Sequence, residues 1–142
     1  MKINVLIADD EKEFIETLAQ RLEVRDLSVT AVSSGESAIA MAEKVDFDVI
    51  ILDVLMPEIT GIDALKQIKN IKPLIPIIML TGAATVENAI QGMKLGAFDF
   101  LMKPANIELL IEKINQAYKL KQAHEERIRQ AEIENILKTR GW

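Results

Sequence analysis

Four short aliphatic runs in this chain each stop at a reactive side chain. Val5-Leu6-Ile7-Ala8 stops at Asp9-Asp10, Val49-Ile50-Ile51-Leu52 at Asp53, Ile77-Ile78-Met79-Leu80 at Thr81, and Phe100-Leu101-Met102 at Lys103-Pro104. Apolar runs of this length, separated by stretches of helical periodicity, predict strands of a parallel sheet buried on both faces. In a fifth segment Leu27, Val29 and Ala31 alternate with Ser28 and Thr30, which predicts a half-exposed strand near a sheet edge. Between the strands, Phe14, Ile15, Leu18, Ala19 and Leu22 recur at helical spacing, as do Ala38, Ile39 and Ala42 after Ser34-Gly35-Glu36. Pro57 and Gly61 punctuate a loop ahead of a helix carrying Ile62, Leu65, Ile68 and the aliphatic stem of Lys69, which Pro73 and Pro76 terminate. Thr85 caps a helix with an apolar face of Val86, Ala89, Ile90 and Met93 that ends at Gly96, and Asn106 caps the last helix.

Five strands, each followed by a helix, predict an α/β sandwich with helices on both faces. Right-handed crossovers leave few topologies, and the expected one is a flavodoxin-like, doubly wound parallel sheet of order 2-1-3-4-5. In that order the four strands ending in polar residues are neighbours. Ligands of such sheets bind outside the carboxyl ends of the strands. Three carboxylates, a hydroxyl and an ammonium are thus expected to converge at one edge.

That grouping suits a divalent metal and a phosphoryl group. The mutual repulsion of Asp9, Asp10 and Asp53 must be relieved by a cation or by protonation. Mg²⁺ takes oxygen ligands and binds carboxylates together with phosphates. An Asp-Asp pair after a strand can also be no more than a helix cap, but Asp53 and Lys103 beside it favour the site. Asp53 is either a metal ligand or a nucleophile that accepts a phosphoryl group as an acyl phosphate. Lys103 can neutralise one phosphoryl oxygen and a metal another, while Thr81 or backbone N–H groups bind the third. If Thr81 moves inward, Phe100 on the neighbouring strand can take the vacated space, a two-state arrangement; the plainer reading makes Phe100 a core aromatic.

Length and composition narrow the class. With 142 residues, the chain suits one domain. A net charge of -5 argues against broad attraction to nucleic acid or anionic membranes. There are no cysteines, which removes disulfides, thiolate metal sites and cysteine catalysis. Neither a signal peptide pattern nor an apolar stretch near the roughly 20 residues of a bilayer span is visible, so a cytoplasmic setting is expected.

At these residues the sequence resembles the receiver domain of two-component response regulators, from about Ile3 to Tyr118. The resemblance rests on Asp9-Asp10, on Asp53 in Leu52-Asp53-Val54-Leu55-Met56-Pro57, on Gly61 and Thr81-Gly82, and on Gly96 to Pro104. It implies that Asp53 is the phosphoacceptor and that Asp9, Asp10 and Asp53, with the backbone carbonyl of Leu55, form a Mg²⁺ site. It makes Thr81 and Phe100 a switch pair, Lys103 the phosphate-contacting lysine and Lys103-Pro104 a cis bond. The implied donor is a phosphohistidine on a sensor histidine kinase or phosphotransfer protein, with small acyl phosphates as substitutes. The implied output face combines the fourth helix, fifth strand and last helix. Leu55 and Ala83 occupy positions that tune acyl-phosphate lifetime in the family, and being apolar they predict slow self-dephosphorylation.

The expected organisation is a receiver over residues 1–119 and a helical extension or linker over 120–142. Lys119 to Lys138 continues with strong helix formers and no Gly or Pro, and Glu125 with Arg129 and Glu134 with Lys138 have the favoured spacing. A sparse stripe of Ile128, Ala131 and Leu137, with His124 read as an exposed helix residue, is compatible with a short coiled coil. A homodimer through this helix or through the output face is therefore an expectation, beside a solvated helix. Whether an effector domain followed residue 142 is left open. The alternative function is a Mg²⁺-dependent phosphohydrolase with an Asp nucleophile, resembling the haloacid-dehalogenase group, but the position of its general acid is Leu55. A flavin binder is disfavoured by the single Tyr and Trp.

Overall fold

The computed structural model describes residues 2–82 and 85–140. Five strands, β1 (Asn4–Ala8), β2 (Ser28–Val32), β3 (Val49–Leu52), β4 (Ile77–Thr81) and β5 (Asp99–Met102), form one parallel sheet of order β2-β1-β3-β4-β5. The helices between and after them are α1 (Lys12–Val24), α2 (Gly35–Lys44), α3 (Gly61–Ile71), α4 (Val86–Lys94) and α5 (Ile107–Thr139). The flavodoxin-like fold and its order are as the sequence predicts.

Strand pleating sorts the aliphatic runs into two cores. Leu6, Ile50, Leu52, Ile77 and Met79 face α2 and α3, with Phe100 packed at the border of that cluster. Val5, Ile7, Val49, Ile51, Ile78 and Leu80 face the opposite way and meet Leu18 and Leu22 of α1 and Leu110 and Ile114 of α5. Residues adjacent in the runs thus serve different layers, which is why the runs are apolar throughout. Ser34, Thr60, Thr85 and Asn106 cap their helices by accepting backbone N–H bonds.

Several details depart from the sequence reading. In β2, Val29 is half-buried but Ala31 is exposed, because an edge strand feels the core on one flank only. The apolar stripe of α4 faces outward: Val86 is 76% exposed, Ile90 50% and Met93 47%, while Gly92 is the one buried residue of the helix. Gly92 faces Ile62, Met79 and Phe100, where a Cβ would make only ordinary contacts at 3.6–3.9 Å. On α5, Glu125 pairs with Lys121 and Arg129 with Glu126, rather than with each other.

Helix α5 continues through the expected boundary at residue 119 without a break. Its buried residues stop at Ala117. Just beyond, the Lys121 ammonium donates to the Phe47 carbonyl at 3.1 Å and lies 3.3 Å from Asp48 Oδ1, which ties the helix to the entry of β3. His124 is half-buried next to the α3–β4 loop rather than exposed. Ile128, Ala131 and Leu137 are exposed. No helix among the described residues is long and apolar enough to cross a membrane.

Candidate functional site

The site residues sit at or one step past the strand ends, and the sheet ladder places them. Asp53 N–H donates to the Ala8 carbonyl at 3.0 Å, Asp9 N–H to Val32 at 3.2 Å, and Lys103 N–H to Thr81 at 2.9 Å. Thr81 closes β4 opposite Met102. The backbone thus carries the register of the sheet into the crevice while the side chains leave it.

Carboxylate oxygens of Asp9, Asp10 and Asp53 lie within 4.8 Å of one another. Asp9 is 2% and Asp53 4% exposed, whereas Asp10 is exposed. Leu55, Thr81, Gly82 and Glu11 line the same cleft. The Lys103 ammonium enters from the side, 2.6 Å from Asp9 Oδ2, 2.8 Å from Glu11 Oε1 and 3.7 Å from Asp53 Oδ2. It also lies 4.1 Å from the ring centre of Phe14 on α1, within cation–π range. The Lys103–Pro104 peptide is cis. Phe100 is half-buried on the strand beside Thr81.

Four carboxylates facing one ammonium leave the cleft strongly negative. Burial pushes the Asp53 carboxyl above the ordinary Asp value; the charges of Asp9 and Asp10 push the same way, opposed by a Thr81 hydrogen bond and by Lys103. Burial alone would push the Lys103 ammonium down, but hydrogen bonds to Asp9 and Glu11 and the charge of Asp53 outweigh it and hold the group up. Lys103 is therefore a fixed positive charge, and Asp53 carries an electrostatic load that a cation would relieve.

The donor set fits a hard divalent cation. All available ligands are oxygens, and Asp53 Oδ1 is buried without a hydrogen-bond partner among the described residues. Asp9 is committed elsewhere with both oxygens, accepting Glu11 N–H at 2.9 Å on Oδ1 and Lys103 on Oδ2. Gly61 shapes the other wall: a Cβ there would stand 1.8 Å from the Asp53 carbonyl, so only Gly lets α3 start this close to the end of β3.

A sequence profile of the response regulator receiver domain matches residues 5–115. The chain belongs to that family. It is the receiver domain of a two-component response regulator, in a family of phosphoacceptor regulators. The transcriptional regulatory protein ZraR of Salmonella typhimurium is 36% identical over 116 residues, which cover 82% of this chain and 26% of ZraR. The chain thus spans about a quarter of the length of that relative. A CheY-like receiver domain protein from Methanospirillum hungatei superposes with a TM-score of 0.84 at 27% identity, covering 87% of this receiver and 99% of that chain. A response regulator from Burkholderia pseudomallei, solved with a phosphorylated aspartic acid, calcium ion and citrate, matches with a TM-score of 0.76 at 27% identity, covering 99% of this receiver and 86% of that chain.

The structure brings Asp9, Asp10, Asp53, Thr81 and Lys103 together and sets Leu55 at the rim. Ala83 lies outside the described residues. Sequence reasoning missed Glu11 and Phe14 as partners of Lys103: Phe14 reads as a plain helical core position, and Glu11 received no role. The available signal was Glu11 at a helix N-cap, where Ser, Thr, Asp or Asn is preferred.

Proposed function

We propose that this receiver accepts a phosphoryl group on Asp53 in a Mg²⁺-dependent reaction and acts as a phosphorylation-controlled switch. The observation that carries the reading is the buried Asp53 carboxylate, whose Oδ1 has no hydrogen-bond partner among the described residues and which clusters with the carboxylates of Asp9 and Asp10 beside Lys103. Asp9, Asp10, Asp53 and the Leu55 carbonyl would hold the ion, which supplies charge neutralisation for carboxylates and phosphoryl oxygens. An Asp53 oxygen attacks the donor phosphorus. The new P–O bond forms as the donor bond breaks, and its electron pair leaves with the imidazole of a phosphohistidine or with acetate from acetyl phosphate. Lys103 and Thr81 bind the equatorial oxygens, where the charge is spread. The aspartyl phosphate and cation named for the Burkholderia protein support this chemistry here.

Thr81 and Phe100 form the switch on this reading, and the face of α4, β5 and α5 is the output surface. Its exposed Val86, Ile90, Met93, Met102 and Leu109 support that role, since clustered apolar side chains mark interaction sites. The donor partner is a sensor histidine kinase or phosphotransfer protein, the output an unidentified partner or an effector domain, and the setting cytoplasmic. The receiver core ends near residue 119. The helix beyond it is an extension that, like the output face, can pair with a second copy. Nothing favours a phosphohydrolase, because Leu55 stands where that chemistry needs an acid.

The test is intact-mass spectrometry after incubation with acetyl phosphate and Mg²⁺. One phosphoryl adduct is expected, lost in Asp53→Asn and without Mg²⁺. No adduct, together with no saturation by beryllofluoride, would refute the reading.

A further inference from the structure

Glu11 is the first residue before α1, and its side chain makes no capping bond. Its carboxylate instead reaches across 92 residues of sequence to Lys103, at 2.8 Å. The Lys103 ammonium is thereby committed: Asp9 at 2.6 Å, Glu11 at 2.8 Å and the Phe14 ring surround it, with Asp53 Oδ2 farther off at 3.7 Å. The two close acceptors differ in one respect. The Asp9 side chain is 3% exposed and that of Glu11 63%, so Glu11 alone can leave without stranding a buried charge.

We infer that Glu11 is a positioning residue, a latch that holds the Lys103 ammonium towards Asp9 and competes with a phosphoryl group on Asp53 for its position. This rests on the phosphoacceptor reading above. A phosphoryl group on Asp53 presents anionic oxygens that call for the ammonium now 3.7 Å away. To close that gap the Lys103 ammonium must move away from its two present acceptors, and the exposed Glu11 is the one that releases it. Glu11 therefore sets how readily the site takes up phosphoryl, whatever the donor.

The experiment compares wild type, Glu11→Gln and Glu11→Ala for adduct formation with acetyl phosphate and with phosphoramidate. It adds a beryllofluoride titration followed by amide NMR, and the same set in a Lys103→Ala background. Glu11→Ala is expected to speed phosphorylation and tighten beryllofluoride binding by roughly fivefold, the worth of a partly exposed ion pair. Glu11→Gln, which keeps an acceptor oxygen but no charge, should fall between the two. The gain should be equal for both donors and vanish in Lys103→Ala, and the urea midpoint of the unphosphorylated protein should fall only slightly, as loss of one partly exposed pair requires. Glu11→Ala equal to wild type in rate and beryllofluoride affinity would overturn the latch. So would a gain that survives Lys103→Ala, or one confined to the more highly charged donor, since either would mean that Glu11 acts by repelling the donor. Wild type that takes no adduct and no beryllofluoride would instead overturn the phosphoacceptor reading itself.

Discussion

Replacing Gly61 with Ala adds one carbon atom, and the structure says where it must go. The new Cβ would stand 1.8 Å from the Asp53 carbonyl oxygen and 2.9 Å from Val54 Cα, whereas real Cβ contacts essentially never fall below 3.0 Å. More than an ångström of opening is therefore required between the first turn of α3 and the end of β3. The obstacle is backbone, held by the Gly61 N–H bond to the Val54 carbonyl at 2.8 Å, so no side chain can swing away. Overpacking of a tight site costs about 1–3 kcal/mol, and a backbone obstacle puts this case at the upper end. The gain from removing a Gly, under about 1 kcal/mol at the first position of a helix, does not offset it. A net loss of about 2 kcal/mol at a urea slope of about 2 kcal/mol/M lowers the midpoint by about 1 M. Because the displaced carbonyl belongs to Asp53, phosphorylation by acetyl phosphate should slow by about 10²-fold, the cost of a 1 Å misplacement. Urea unfolding and intact-mass kinetics read the two effects. Gly92→Ala is the control: its Cβ would meet Ile62, Met79 and Phe100 at 3.6–3.9 Å, ordinary contact, so helix propensity should raise stability by about 1 kcal/mol. A Gly61→Ala protein as stable and as reactive as wild type would refute the reasoning.

Other predictions follow from local features. Asp53, pushed above its ordinary value by burial, binds its proton more tightly folded than unfolded; its contribution to stability is full below pH 3.8 and lost as pH rises through the folded value. Asp53→Asn should therefore raise the urea midpoint at pH 7 and leave it unchanged at pH 3; a pH-independent difference would contradict the charge argument. By the same shift, protons should compete with Mg²⁺ at Asp53 more strongly than at an ordinary Asp, so calorimetric affinity for Mg²⁺ should fall as pH is lowered from 7. Helices α1 and α4 end in the same motif, with Asp26 (φ 67°) and Gly96 (φ 103°) in the left-handed position and Leu27 and Ala97 N–H bonding back to Leu22 and Gly92. Asp26→Gly should stabilise by about 1 kcal/mol and Gly96→Ala destabilise by about as much, measured as changes in urea midpoint. Lys121→Ala should cost about 1 kcal/mol by freeing the Phe47 carbonyl and should speed amide exchange in α5 around residue 121; unchanged exchange would show that the helix holds itself there.

Much of this was legible without coordinates. A parallel strand buried on both faces must be apolar at every position, so the four runs marked their own strands and their ends marked the crevice. Ser34, Thr85 and Asn106 marked helix starts because their side chains satisfy orphan N–H groups next to them in sequence. The convergence of Asp9, Asp53, Thr81 and Lys103 followed from strand order alone. Tertiary structure decided what depends on direction and distance rather than on order. Periodicity showed that α4 has an apolar stripe but not that it points outward, because which face meets the sheet is decided by how the helix is placed against Ile62, Met79 and Phe100. Phe14 gave no local sign of its role, and Glu11 only an unusual helix cap, since their partner Lys103 is about ninety residues away and only the closed sheet brings it within reach. Gly61 read as loop punctuation, while its necessity lies in the 1.8 Å that a Cβ would leave to Asp53. Patterns whose cause is local, such as burial period and caps, are written in the chain; the choice among competing partners for one charge is made where separate strands end together.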